Sequence, residues 1–152
     1  MLIMTKQRGF SLIELLIVVA IILIIAAIAI PNLIKSKMAA NEASAVESLR
    51  TINSAEVTYA STYGTGYTSL GTLGMSGLVD AVLSTGKKSG YNFTAVPSDG
   101  TGSPIDPYTG YTATGTRQSS NMGTRMFCTD SSGVIRYETT PTGCTSSSSP
   151  LQ

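Results

Sequence analysis

Serine is plentiful in this chain, but the residue that most often activates it is missing, because the sequence contains no histidine. Without an imidazole there is no Ser–His pair and no histidine metal ligand. Gly86-Lys87-Lys88-Ser89 has the ending of a phosphate-binding loop. Its upstream glycine is absent, since position 81 is Ala, and the stretch reads as a turn with two exposed lysines. Asp99 and Asp106 lie in a loop rich in Gly and Pro, at a spacing that does not build a calcium loop. The two cysteines, Cys128 and Cys144, are too few for a tetrahedral zinc site without other soft ligands. They fit a disulfide in an exported domain, or two unpaired thiols. No catalytic constellation emerges, so the chain reads as a non-enzyme with no cofactor and no small-molecule substrate. A net charge of +1 with no basic stripe gives no nucleic-acid signal.

The chemically odd residue is Glu14. Leu12 to Ile30 is apolar except at this position. The run from Phe10 to Ile30 is long enough to cross a bilayer, which needs roughly 20 apolar residues. It is too long for an ordinary signal peptide. Lys6 and Arg8 precede it and hold the leader on the cytoplasmic side, while Lys35 and Lys37 beyond the far end weaken that asymmetry slightly. An acid at membrane depth costs about 3 kcal/mol on insertion scales, so it should find a partner. The positive amino terminus of a neighbouring copy is one candidate. The alternative is an acid near a helix end that snorkels to the interface. The span alone is equally compatible with a plain anchor for a periplasmic domain.

The residues Lys6-Gln7-Arg8-Gly9-Phe10-Ser11-Leu12-Ile13-Glu14-Leu15 resemble the prepilin signature shared by type IV pilins and type II secretion pseudopilins. That resemblance implies cleavage between Gly9 and Phe10 by a membrane prepilin peptidase. It also implies N-methylation of the new terminus at Phe10. The glutamate that guides assembly in the family corresponds to Glu14, and Pro31 matches a proline common just after the apolar run. The leader departs from the family in its apolar start, Met1-Leu2-Ile3-Met4; translation from Met4 would leave a cleaner one. The match covers about the first quarter of the chain.

These residues need an element to hold them, and the sequence supplies one long helix from about Ser11 to Tyr63, bent or locally melted at Pro31. Ala45, Leu49, Ile52, Tyr59 and Tyr63 recur near helical spacing, with Glu42, Glu47, Arg50 and Asn53 on other faces. Glu47 and Arg50 are placed to pair weakly. Ala26, Ala27, Ala29, Ala39, Ala40 and Ala43 suit close helix approach or simply favour helix. Tyr59 and Tyr63 read as core or stacking residues. Glycines then break the chain from Gly64 to Gly90, with one short helix expected over Ser76–Leu83 and Leu78, Val79, Val82 and Leu83 buried.

From Tyr91 the pattern changes to strands. Tyr91–Val96 is one, stopped by Pro97, and Tyr111–Thr116 is a weaker second. Arg125–Thr129 and Val134–Glu138 form a hairpin through Asp130-Ser131-Ser132-Gly133, with Phe127 and Ile135 facing the helix. Pro141 and Gly143 turn the chain back, and a Cys128–Cys144 bridge would resemble the disulfide-closed C-terminal loop of many pilins. The fold class is therefore α+β: a long N-terminal helix whose second half packs on an antiparallel sheet of three or four strands. The chain divides into a leader (1–9), a transmembrane or filament-core helix (10–30), a helical spine (31–63), a connecting loop (64–90), the sheet and disulfide-closed loop (91–144) and a flexible tail (145–152).

The reading that follows is a structural subunit, a major pilin, that polymerises into a type IV pilus serving motility, adhesion or DNA uptake. Its partners are further copies of itself, the prepilin peptidase, the inner membrane and the assembly platform. It would sit in the inner membrane as a precursor and outside the cell in the filament. The alternative is a type II secretion pseudopilin; a membrane-anchored periplasmic enzyme is disfavoured by the absence of any site.

Overall fold

A computed structural model of the chain describes residues 9–140 and 143–151. The leader residues Lys6 and Arg8, the two start methionines, Pro141 and Gln152 lie outside the described residues. The chain divides into two compact units, residues 1–36 and 37–152, each treated by itself below.

The first unit holds the opening part of helix α1 (Leu12–Tyr63). This part is long and apolar enough to cross a membrane by length and composition, and none of its most apolar window is buried within the chain. Pro31 lies inside the helix. The melted turn expected there is absent: helical assignment continues without interruption on both sides. One proline removes a single donor, and the Asn32 side-chain amide donates to the Ile28 carbonyl at 3.1 Å in the same stretch. The bond lost is the one to the Ala27 carbonyl, and a long helix carries that single loss without breaking.

In the second unit α1 presents Ala45, Leu49 and Ile52 to the core together with Val46 and Ala55. Two short helices follow, where one was expected. They are α2 (Leu70–Met75), capped by Ser69, and α3 (Ala81–Ser84), capped by Asp80. Ser76, expected to start the helix, instead ends α2. The reason is Gly77, whose φ of 69° turns the chain out of the right-handed helix. Leu83 and Val79 are buried as expected, but Val82 points outward.

The sheet is a six-stranded antiparallel meander in sequence order: β1 (Lys87–Lys88), β2 (Tyr91–Ser98), β3 (Gly110–Arg117), β4 (Met126–Asp130), β5 (Arg136–Glu138) and β6 (Ser149–Pro150). The four inner strands are those expected. The two additions are very short edges, one from the lysine turn and one from the Ser-rich stretch expected to be a loose tail. Leu151 continues that edge, its N–H donating to the Ile135 carbonyl at 2.8 Å, and its side chain packs on the core. Pro97 does not stop β2. It pairs with Tyr111 on one side, and β1 reaches only Tyr91 and Asn92 on the other, so the missing donor faces an open flank.

The β4–β5 connection is the turn read from the sequence: Gly133 N–H donates to the Asp130 carbonyl at 2.9 Å, with Gly133 at φ 73°. The core is then straightforward. Tyr91, Phe93 and Ala95 from β2, Tyr111 and Ala113 from β3, Phe127 from β4 and Ile135 meet the α1 stripe. Alternation along β2 and β3 places these residues on one face. Cys128 and Cys144 form a disulfide with Cα atoms 5.6 Å apart.

Candidate processing and assembly site

Gly9, Phe10 and Ser11 are not helical, and α1 begins immediately after them. The Gly9–Phe10 bond therefore lies in exposed, irregular backbone directly ahead of a rigid element, and Phe10 is 75% exposed. A Cβ built on Gly9 meets nothing within 4 Å. No packing within the described residues demands glycine at this position.

Glu14 has a local role that sequence reasoning missed. Its Oε2 accepts the Ser11 N–H at 2.9 Å, while the Ser11 carbonyl accepts Leu15 N–H at 3.2 Å. This is the reach-back half of a capping box, with a carboxylate in the first turn complementing the helix dipole. The spacing Ser11-x-x-Glu14 carried that signal. The bond also holds the carboxylate one residue from the Phe10 backbone nitrogen. The small residues Ala27, Ala29, Ala39, Ala40 and Ala43 are exposed along α1.

Two further helix carboxylates were misplaced or unnoticed. Glu42, expected on a polar face, is buried. One of its oxygens accepts Thr124 N–H at 2.6 Å, the Thr124 hydroxyl at 2.7 Å and Arg125 N–H at 3.1 Å, and the other accepts Arg125 Nε–H at 2.8 Å. Burial pushes its carboxyl upward, but the combined bonds from Thr124 and Arg125 outweigh that and hold it below the ordinary value. Glu56 is 0% exposed. Burial drives its carboxyl up to about 7, only partly opposed by the Thr68 N–H bond. Both glutamates lie on the stripe 42, 45, 49, 52, 56, the three-four alternation of one helix face. That spacing could have flagged them.

Asn53, also expected on a polar face, is half-buried and bridges helix to sheet. It accepts the Tyr111 hydroxyl at 2.8 Å and donates to the Thr129 hydroxyl at 3.1 Å. Glu47 and Arg50 do meet, at 3.5 Å and well exposed. Tyr59 and Tyr63 stack with ring centres 4.5 Å apart; Tyr59 packs on the core. Burial raises Tyr91 to about 12, and its hydroxyl donates to the Arg125 carbonyl at 2.7 Å.

The remaining candidates are not assembled into a site. Lys88 pairs with Asp80 at 2.9 Å. The Asp106 carbonyl is taken by the N–H groups of Thr101, Gly102 and Ser103, and the Asp99 carboxylate accepts the Ser98 hydroxyl at 2.9 Å. Among the described residues no group of three or more metal-ligating side chains converges.

Comparison with known proteins bears on the N-terminal segment. Residues 4–30 match the family model described as the Prokaryotic N-terminal methylation motif. The chain is 48% identical over 54 residues to the Type IV major pilin protein PilA of Myxococcus xanthus, which covers 36% of this chain and 24% of that one. It is 56% identical over 39 residues to the Type IV wide pilus major component PilA4 of Thermus thermophilus, covering 26% of this chain and 30% of that one. The chain thus matches a third or less of the length of these relatives.

Proposed function

The chain is a type IV pilin-family protein by its N-terminal motif, and from that premise we propose that it is a major pilin, cut between Gly9 and Phe10 and polymerised into a surface filament. The supporting observation is the accessible, non-helical Gly9–Phe10 bond set directly against the opening part of α1, which is apolar and exposed with one acid in its first turn. Cleavage exposes an amine at Phe10, which the membrane peptidase methylates. The apolar face, which finds no cover within its own unit, is then buried by the same face of other copies. In the bilayer close helix packing and released lipid favour this association, and outside it the hydrophobic effect holds the apolar helices together. Glu14 guides the step: a carboxylate within the span is costly, up to about 3 kcal/mol at the centre of a bilayer, and the amine of an incoming Phe10 offsets that cost. The sheet is displayed outward. Both relatives carry pilus names, which favours a pilus over a secretion pseudopilin.

Deletion of the encoding gene tests this reading. Surface filaments seen by electron microscopy should vanish and return with the intact gene. Filaments of unchanged number in the deletion strain would refute the major-pilin reading.

A further inference from the structure

Glu56 has an arrangement that neither capping nor filament assembly requires. It lies on the core stripe of α1 with no exposed surface. Its Oε2 accepts Thr68 N–H at 2.9 Å, and its Oε1, equally enclosed, has no hydrogen-bond partner among the described residues. Thr68 belongs to the segment 64–69 that leaves α1. That segment is tied to its surroundings by Gly64 N–H to the Ala60 carbonyl at 3.1 Å, Tyr67 N–H to the Tyr108 carbonyl at 3.2 Å, Tyr108 N–H to the Thr65 carbonyl at 3.0 Å, Leu73 N–H to the Ser69 carbonyl at 3.0 Å, and the Tyr67 ring against Tyr111 at 4.7 Å.

We propose that Glu56 is a proton-controlled latch, closing segment 64–69 onto the helix when its carboxyl is neutral and loosening it when the carboxyl ionises. A neutral carboxyl tolerates burial with one bond to its carbonyl oxygen. A carboxylate there holds a charge with a single donor and a bare oxygen, which favours opening to water. The ionisable groups that bear on this place do not relieve it. Tyr111 on β3 feels the Glu56 charge as repulsion of its own ionisation, and Tyr67 and, more weakly, Asp130 act on the same phenol. No ion pair reaches Glu56 among the described residues.

The sign follows from linkage. The closed-state value lies near 7, above the ordinary carboxylate value that an opened Glu56 would recover. The latch is therefore tightest at acid pH and weakens as pH rises through about 7. Between pH 5 and 8 the opening equilibrium should shift on the order of fifty- to a hundredfold.

Hydrogen exchange on the full-length chain in detergent micelles tests this. After correction for intrinsic exchange, protection of the Tyr67 and Thr68 amides should fall by that factor from pH 5 to 8. Glu56→Gln should flatten the profile at Tyr67. Infrared difference spectra of the unaltered chain provide a readout that needs no variant: a protonated-carboxyl band should disappear near pH 7 and be absent in Glu56→Asn or Glu56→Gln. A pH-independent protection at Tyr67 and Thr68 in the unaltered chain would overturn the latch. So would an equal pH dependence in Glu56→Gln, or the absence of any carboxyl titrating near neutrality.

Discussion

Glu42 on the helix and Arg125 just ahead of β4 meet at 2.8 Å between Oε2 and Nε, and the glutamate is buried while the arginine remains partly open to solvent. The guanidinium also lies over the rings of Phe127 and Tyr137, at 5.5 and 5.4 Å. This contact ties helix to sheet within the second unit. Arg125→Ala leaves the carboxylate its bonds from Thr124 but removes its charge partner and two ring contacts. The expected loss is about 2 kcal/mol, read as a lower denaturant midpoint for the full-length chain in micelles. Arg125→Lys should recover only part of it, because the ammonium cannot reproduce the planar donor.

Acid should act on the same pair. The folded-state value of Glu42 is held below its ordinary value. A depressed carboxyl contributes stability that is fully present above its unfolded value and lost as pH falls through its folded value. The thermal midpoint of the unaltered chain should therefore drop on the acid side of pH 4.5. Glu42→Gln should start lower at neutral pH and show a shallower acid limb.

The disulfide should matter for the C-terminal edge. Cys128 and Cys144 are 16 residues apart and enclose β5, whose other neighbour is β6. Closing a loop of this size stabilises by about 3 kcal/mol. The double substitution Cys128→Ser, Cys144→Ser should cost about that much in chemical denaturation. Amide protection should be lost first at Leu151 and at the β5–β6 pairs.

Glu14 makes two roles separable. Its carboxylate caps Ser11 N–H, and the proposed assembly role needs its charge. Glu14→Gln keeps an acceptor for the cap and loses the charge; Glu14→Ala loses both. Circular dichroism in micelles should show near-normal helix in both, since an exposed cap is worth only about 1 kcal/mol. Filament yield should collapse in both. Normal yield with Glu14→Gln would mean that the cap, rather than the charge, is what assembly uses.

Much of this was legible in the residues. The apolar stretch, the four inner strands and the Asp130–Gly133 turn follow from periodicity and turn chemistry, which are local. What was missed depends on tertiary partners. Glu42 and Glu56 look like ordinary polar helix residues until Thr124, Arg125 and Thr68 are brought to them. β6 is Ser-rich and carries no strand signal; it exists because β5 offers an edge. Pro97 stayed in β2 because of how short β1 is, which no local pattern records. Within Gly9–Glu14 the resemblance to the prepilin signature implied processing, while the Ser11–Glu14 bond required the helix start to be placed.

Intact mass measurement of the chain recovered from sheared, purified filaments tests the central proposal most directly. The expected result is a polypeptide that begins at Phe10 and carries one added methyl group on its amino terminus. Filaments built from chains that retain Gly9 and the residues before it, or purified filaments without this chain, would contradict it.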